Sequence, residues 1–479
     1  MIRAIAWREL TEWCRDGRIL GIAGMLGMLA VLASITGWLT WAEHDQQVTL
    51  AQAKDDAAFI RQGAKSSHSA AHFGRLAHKP SAPFAVFDPG VVPYLGQVIW
   101  LEAHRRDPAM FRAAEDSTEL RRLADLSVAG VLTLLLPLLI FIVGHGVYAA
   151  ERDRGTLRQV LSIGPTLQAL FWGKFAALAA SSVVVSSSVV ALCIGVAFAA
   201  RGSADLDTLL RGCGLLAAYA LYGIGCVAVT LLVSARARTA AAALLILLMT
   251  WAVGMVLVPR LAATAADKLF PVATSVSFWN TTAADIRARR PPRDSLRYRE
   301  LQRVVASEML GRELSMDELA SAELNRQALA LETSERLEAD AYAEAYEQLN
   351  DTYAAQARVR RIMAALSPAI VLQHASSALA GTDLSAHQQF AAQAERHRAL
   401  ISRRINEDMM LRGAGQGFDY LPEPQLWASI PPFRFTSPTA SSALRSAAWD
   451  LAVLALWSLL AATLAWRAST SSSGCGALA

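Results

Sequence analysis

The feature that most constrains this chain is a set of six uncharged or nearly uncharged runs, at residues 19–41, 126–150, 170–200, 210–234, 239–260 and 446–466. About 20 apolar residues in a helix cross the roughly 30 Å of bilayer hydrocarbon, and each run has that reach. Lipid offers no partner to a backbone N–H or C=O, so the runs are read as helices, which bond these groups internally. The sixth is the weakest, because Asp450 leaves a clean run of only residues 451–466, with Trp449 and Trp466 as anchors at its ends. The first follows Arg3, Arg8, Arg15 and Arg18 in the manner of a secretion signal, but at 23 residues it exceeds a signal core and lacks a small-x-small cleavage site before Glu43. It is read as a retained span. Lipidation signals are absent from both ends.

Six spans put both termini on one side. That side collects four basic residues before the first span, four in residues 151–174, Arg236, Arg238 and Arg467, against Arg201 and Arg211 in the short loop opposite. Basic residues favour the cytoplasm, so both termini and the loop at 151–167 are expected there, in a multi-pass membrane protein. A formal charge of +4 is too small to argue for nucleic acid. Five cysteines, three of them in apolar runs, imply no disulfide framework.

The most informative loop lies between the second and third spans. Residues 151–161 place Leu157, Val160 and Leu161 on one face of a short helix and Arg154 and Arg158 on another, a pattern for lying at a membrane surface or docking on a soluble protein. Gly164-Pro165 stops it, and Gly173-Lys174 opens the next span. The order of Glu151, Gly155, Thr156, Leu157, Leu161, Ser162, Pro165, Gly173 and Lys174 around a membrane helix resembles the first intracellular loop of ABC-2 type permeases, the membrane subunits of type-2 ABC exporters. In that family the loop is a coupling helix seated in a cleft of the ATP-binding subunit. The resemblance implies that Glu151 pairs with a basic residue of that ATPase, with Arg154, Gly155, Thr156, Leu157, Arg158 and Leu161 forming the rest of the contact. It also implies two copies of the ATPase, which bind ATP and magnesium, and a second permease copy or a sister permease. The present chain would bind no cofactor itself. Residues 1–18 carry Trp7, Arg8, Trp13 and Arg15 on an amphipathic helix, similar to the family's elbow helix at the membrane interface.

Two long polar segments, 42–125 and 261–445, remain on the side opposite the termini. Loops of that length are rarely structureless, so the expected fold is an all-α membrane protein, six transmembrane helices with a mostly helical extracytoplasmic domain formed by two insertions. This arrangement looks like an ABC-2 subfamily with large periplasmic insertions. In the first segment His68 and His72 stand at i and i+4, as two metal ligands on a helix do. No carboxylate or cysteine accompanies them or His78 locally, so they are read as part of an exposed polar linker and no metal site is assigned. In the second, Ser315 with Glu318 makes a capping box, Ser367-Pro368 a helix start, and Gly381-Thr382-Asp383 a helix stop followed by a cap. Tyr342, Tyr346 and Tyr353 recur at helical spacing and are read as packing on a neighbouring helix. The terminal stretch 467–479 is expected to be a cytoplasmic tail.

The sequence excludes several chemistries. It has no Gly-x-x-x-x-Gly-Lys-Ser/Thr loop, no Gly-x-Ser-x-Gly elbow and no His-Glu-x-x-His pair, so the chain is not read as an enzyme. Its spans hold few ionisable groups, which disfavours an ion-coupled carrier. His145, between Gly144 and Gly146, and the hydroxyls of Ser181, Ser186 and Ser187 are the candidate lining of a transport path, with close helix packing as the plainer role. The competing reading of the whole chain is a membrane-anchored assembly or signalling scaffold whose outer domain binds an envelope protein.

Overall fold

In the computed structural model, residues 1–82, 84–116, 126–201 and 205–470 are described; the expected tail lies outside them from 471 onward, as does Cys475. The protein is an all-α membrane protein with six helices of spanning length and composition, Ile19–Ile60, Val128–Asp153, Leu167–Ala199, Leu206–Arg236, Ala240–Leu269 and Ala440–Thr470. The second and fourth are central, with 61% and 56% of their most apolar windows buried against 22–28% for the other four.

Helix α1 (Ile2–Arg15) precedes α2 (Gly17–Ile60), whose 44 residues at 1.5 Å each reach about 66 Å, twice the hydrocarbon thickness. The first span therefore continues out of the bilayer as a stalk. Beyond it come α3 (Ser67–Phe73) and the antiparallel strands β1 (Arg75–His78) and β2 (Val98–Leu101), paired Arg75 to Leu101. The second span is α4 (Val128–Gly144) and α5 (Gly146–Asp153), followed by the surface helix α6 (Thr156–Ser162), α7 (Leu167–Arg201) and α8 (Leu206–Arg236). The fifth span is α9 (Ala240–Trp251), a π-helical turn at Ala252–Leu257, and α10 (Val258–Leu269).

The departures from regular helix are satisfied by neighbours, as lipid requires. Pro137 lies inside α4 and has no N–H to offer the Thr133 carbonyl, which instead accepts from Tyr222 Oη of α8 at 2.7 Å. Gly254 O, in the π-turn, accepts from Ser367 Oγ at 2.5 Å.

Between the fifth and sixth spans lie α11 (Ser275–Arg289), α12 (Leu296–Leu310), α13 (Met316–Ser321), α14 (Arg326–Met363), α15 (Pro368–Ala380), α16 (Leu384–Arg412) and α17 (Gln425–Ser429), before α18 (Ala440–Thr470) makes the sixth span. Ser315 and Glu318 close the capping box of α13. Pro368 opens α15, Gly381 ends it in the left-handed region, and Asp383 caps α16 through Ala386 N. The tyrosine stripe of α14 packs on α11, Tyr346 against Phe278 at 5.2 Å and Tyr342 against Trp279 at 6.0 Å between ring centroids. One apolar core joins the two long polar segments: Phe59, Ala77 and Leu101 share it with Phe390, Ile401, Trp427 and Phe433.

Candidate functional site

The surface between the second and third spans is built from a turn and a brace. Gly155 takes φ 71°, a conformation that costs other residues strain, and reverses the chain between α5 and α6. Leu157 is buried under α6, while Val160 and Leu161 pack partly against the membrane core. Asp153, Arg154, Gly155, Arg158, Gln159 and Ser162 stand at the surface, and Ile163 is 84% exposed at the tip.

Beneath the tip the loop is clamped to three spans. Arg152 Nη2 donates to Ala235 O at 2.8 Å, and Asp153 Oδ2 accepts from Ala240 N at 2.9 Å, which fixes α5 to the junction of the fourth and fifth spans. Lys174, 1% exposed, donates to Glu9 Oε1 at 2.7 Å, Glu151 Oε1 at 2.9 Å and Val147 O at 2.9 Å. Burial pushes the Glu9 carboxyl up from its ordinary value, and the Lys174 charge opposes it. Arg8 adds a longer contact to Glu151 at 3.9 Å. Gly173 makes this approach feasible, since a Cβ there would sit 2.6 Å from Ile5 Cβ. Gly173 and Lys174 thus receive Ile5 and Glu9, one turn apart on α1.

Glu151, expected to reach a partner, has one carboxylate oxygen bound to Lys174 and is only 14% exposed at its side chain. Thr156 Oγ1 donates to Glu151 O at 3.2 Å and so holds the turn. On α1, Trp7 is 73% exposed, Trp13 packs partly on the membrane core and Arg8 pairs with Glu12 at 2.9 Å. Arg15 stands exposed in the last turn of α1. Sequence reasoning missed Glu9 and Ile163. The spacing of Ile5 and Glu9 against the Gly-Lys pair is the signal that points to Glu9, whereas nothing local to Ile163 separates it from a buried isoleucine.

The candidate path residues are occupied with packing. His145 Nδ1 lies 2.7 Å from Ile142 O of its own helix, and a Cβ on Gly144 would meet Thr230 Cγ2 at 2.5 Å, a close helix contact. Ser181 and Ser186 donate to Ala177 O and Ser182 O, each at 3.0 Å, and Ser187 is half-buried beside them. None of the four lines the cavity of about 1160 Å³ between α2 and residues 78–98, which is bordered by Trp41, His44 and Lys79.

Residues 75–260 match the family described as ABC-2 family transporter protein, and residues 301–436 match a domain of unknown function, DUF3526. No curated protein matches the chain.

Proposed function

The chain being an ABC-2 type permease, the membrane component of an ABC transporter, we propose that it couples ATP hydrolysis by a separate ATP-binding subunit to export of a substrate across the bacterial inner membrane. The observation that carries this reading is the braced loop. Its tip, with Arg154, Arg158 and Ile163, is exposed, whereas its base is bonded to α1, α7 and α8 through Lys174 and Arg152. A push on the tip is passed to several spans as one body, because buried ion pairs with good geometry resist separation. In the reaction cycle, closure of two ATPase subunits on ATP and magnesium would press on residues 151–161, and the spans would exchange inward for outward access. A second permease copy or a sister permease completes the assembly, with both termini and the loop in the cytoplasm and the outer helices available to an envelope protein.

The test is affinity purification from native membranes in detergent, with bound proteins identified by mass spectrometry. The wild-type permease is expected to carry a stoichiometric ATP-binding subunit. The double variant Ile163→Asp, Arg154→Glu, whose side chains lie outside the brace, should lose at least nine-tenths of it while its thermal unfolding stays unchanged. Full retention of the ATPase by the variant, or wild type that purifies without one but with an envelope protein, would sink the coupling reading and favour the scaffold.

A further inference from the structure

His68 and His72 lie one turn apart on α3, and the fold brings a third imidazole to them from beyond β2. The strand register explains how. Arg75 pairs with Leu101, and three residues further out on each strand stand 72 and 104. Ala103 N donates to Ala71 O at 3.1 Å, so the two segments stay together past the sheet. The result is a cluster in which a ring nitrogen from each of His68, His72 and His104 lies within 4.8 Å of the others.

We propose that His68, His72 and His104 form an outer-domain binding site for a divalent transition-metal ion of the zinc type, with Glu102 as the available fourth ligand. Tetrahedral zinc with nitrogens at about 2.0–2.1 Å sets ligand nitrogens about 3.3 Å apart. From within 4.8 Å the nitrogens need to close by up to about 1.5 Å, a movement open to His72, whose side chain is 46% exposed. The donor set selects the ion: imidazole suits zinc and its transition-metal neighbours, whereas magnesium and calcium take oxygen.

Three further observations point to a ligand. Glu102 Oε2 lies 3.9 Å from His72 Nδ1. The Nδ1 of His68 is buried without a hydrogen-bond partner, an orphan that a bound ion would satisfy. His104 holds φ 62°, a left-handed conformation costing of order 1–3 kcal/mol. It is kept there by Glu335 of α14, which accepts the His104 N–H at 2.9 Å and stands 3.5 Å from its Nδ1. A carboxylate behind a histidine is the usual support that orients a metal ligand. His78 is not part of the site; its Nε2 lies 2.6 Å from Asp55.

The inference is independent of transport. The experiment uses the full-length protein in detergent, purified on a tag without histidines, stripped with chelator and dialysed against zinc alone. Wild type is expected to retain one zinc per chain, and cobalt to give the intense visible absorption of a tetrahedral site. His72→Ala, an exposed position, should weaken zinc binding on the order of 100-fold, and Glu335→Gln, a positioning change, by 10- to 100-fold. His78→Ala should bind as wild type. Absence of stoichiometric zinc from wild type, or equal zinc affinity in His72→Ala and wild type, would overturn the site.

Discussion

Lys174 meets Glu9 and Glu151 beside α1, and His68, His72 and His104 meet one another beyond the far end of the α2 stalk. Both groups gather residues distant in sequence, and both involve buried nitrogen. At Lys174 the partners are of opposite charge, the bonds are 2.7–2.9 Å, and the lysine has three acceptors for its three protons. The histidines face like groups, with ring centroids 4.7–6.0 Å apart and one nitrogen unbonded. The first arrangement is complete as it stands and holds the fold. The second leaves a buried nitrogen unsatisfied and is open to an added ion.

The largest effect is expected from breaking the complete cluster. Lys174→Met removes the only cation bonded to Glu9 among the described residues and leaves a carboxylate 5% exposed without compensation. Loss of one partner from a buried pair costs about 3–5 kcal/mol, so thermal unfolding in detergent should fall sharply, and Glu151→Arg should fall with it by placing a like charge beside Lys174. A Lys174→Met protein as stable as wild type would show that the brace is not structural.

Next in size is the support behind His104. Burial pushes the Glu335 carboxyl up, but hydrogen bonds from His104 and Arg398, with the Arg398 charge, outweigh it and hold it down at about 2. The ordinary value is 4.5, so its stabilisation is present above that pH and is lost as pH falls toward 2. At about 1.4 kcal/mol per pH unit it is on the order of 3 kcal/mol. The gap in unfolding stability between wild type and Glu335→Gln should therefore be widest near neutral pH and close as the solution is acidified. A constant gap would mean that the amide loses packing rather than charge.

These two sites also show what the sequence made legible. The six spans announce themselves through length and lack of charge, and the caps at Ser315, Pro368 and Asp383 through local chemistry that needs no tertiary partner. Glu151 stood out as a charged residue ending a membrane run, yet its bond to Lys174 depends on how α5 packs against α7, which no local pattern records. His68 and His72 were visible at helical spacing. His104, 32 positions after His72, joins them only through the pairing of β1 with β2, and Glu335 through the packing of α14. Local rules therefore find elements and their ends, while sites built from three or four elements need the register.

Gly173→Leu sharpens the contrast from the packing side. Its side chain would drive into Ile5 and toward Ile2 O, 3.2 Å from the new Cβ, both on α1. Overpacking of this kind costs about 1–3 kcal/mol, less than loss of Lys174 because the ion pairs can re-form after a small shift of α1. Faster proteolysis at Arg15, with the rest of the chain resistant, is the expected readout; unchanged cleavage would mean that α1 is not held at Gly173.

The smallest effect is expected at His72, and it decides the comparison. In metal-free protein His72→Ala should change stability by no more than about 0.5 kcal/mol, the range for an exposed substitution away from structural features. With free zinc at 100 times its dissociation constant, wild type should gain about 2.7 kcal/mol from binding the folded state, and the variant nearly none of it. The two unfolding curves would then coincide without zinc and separate with it, the ion being the partner to the imidazoles that Glu9 and Glu151 are to Lys174. A His72→Ala protein that is clearly destabilised without metal would instead make the histidines a packing unit, as finished as the brace at the other end.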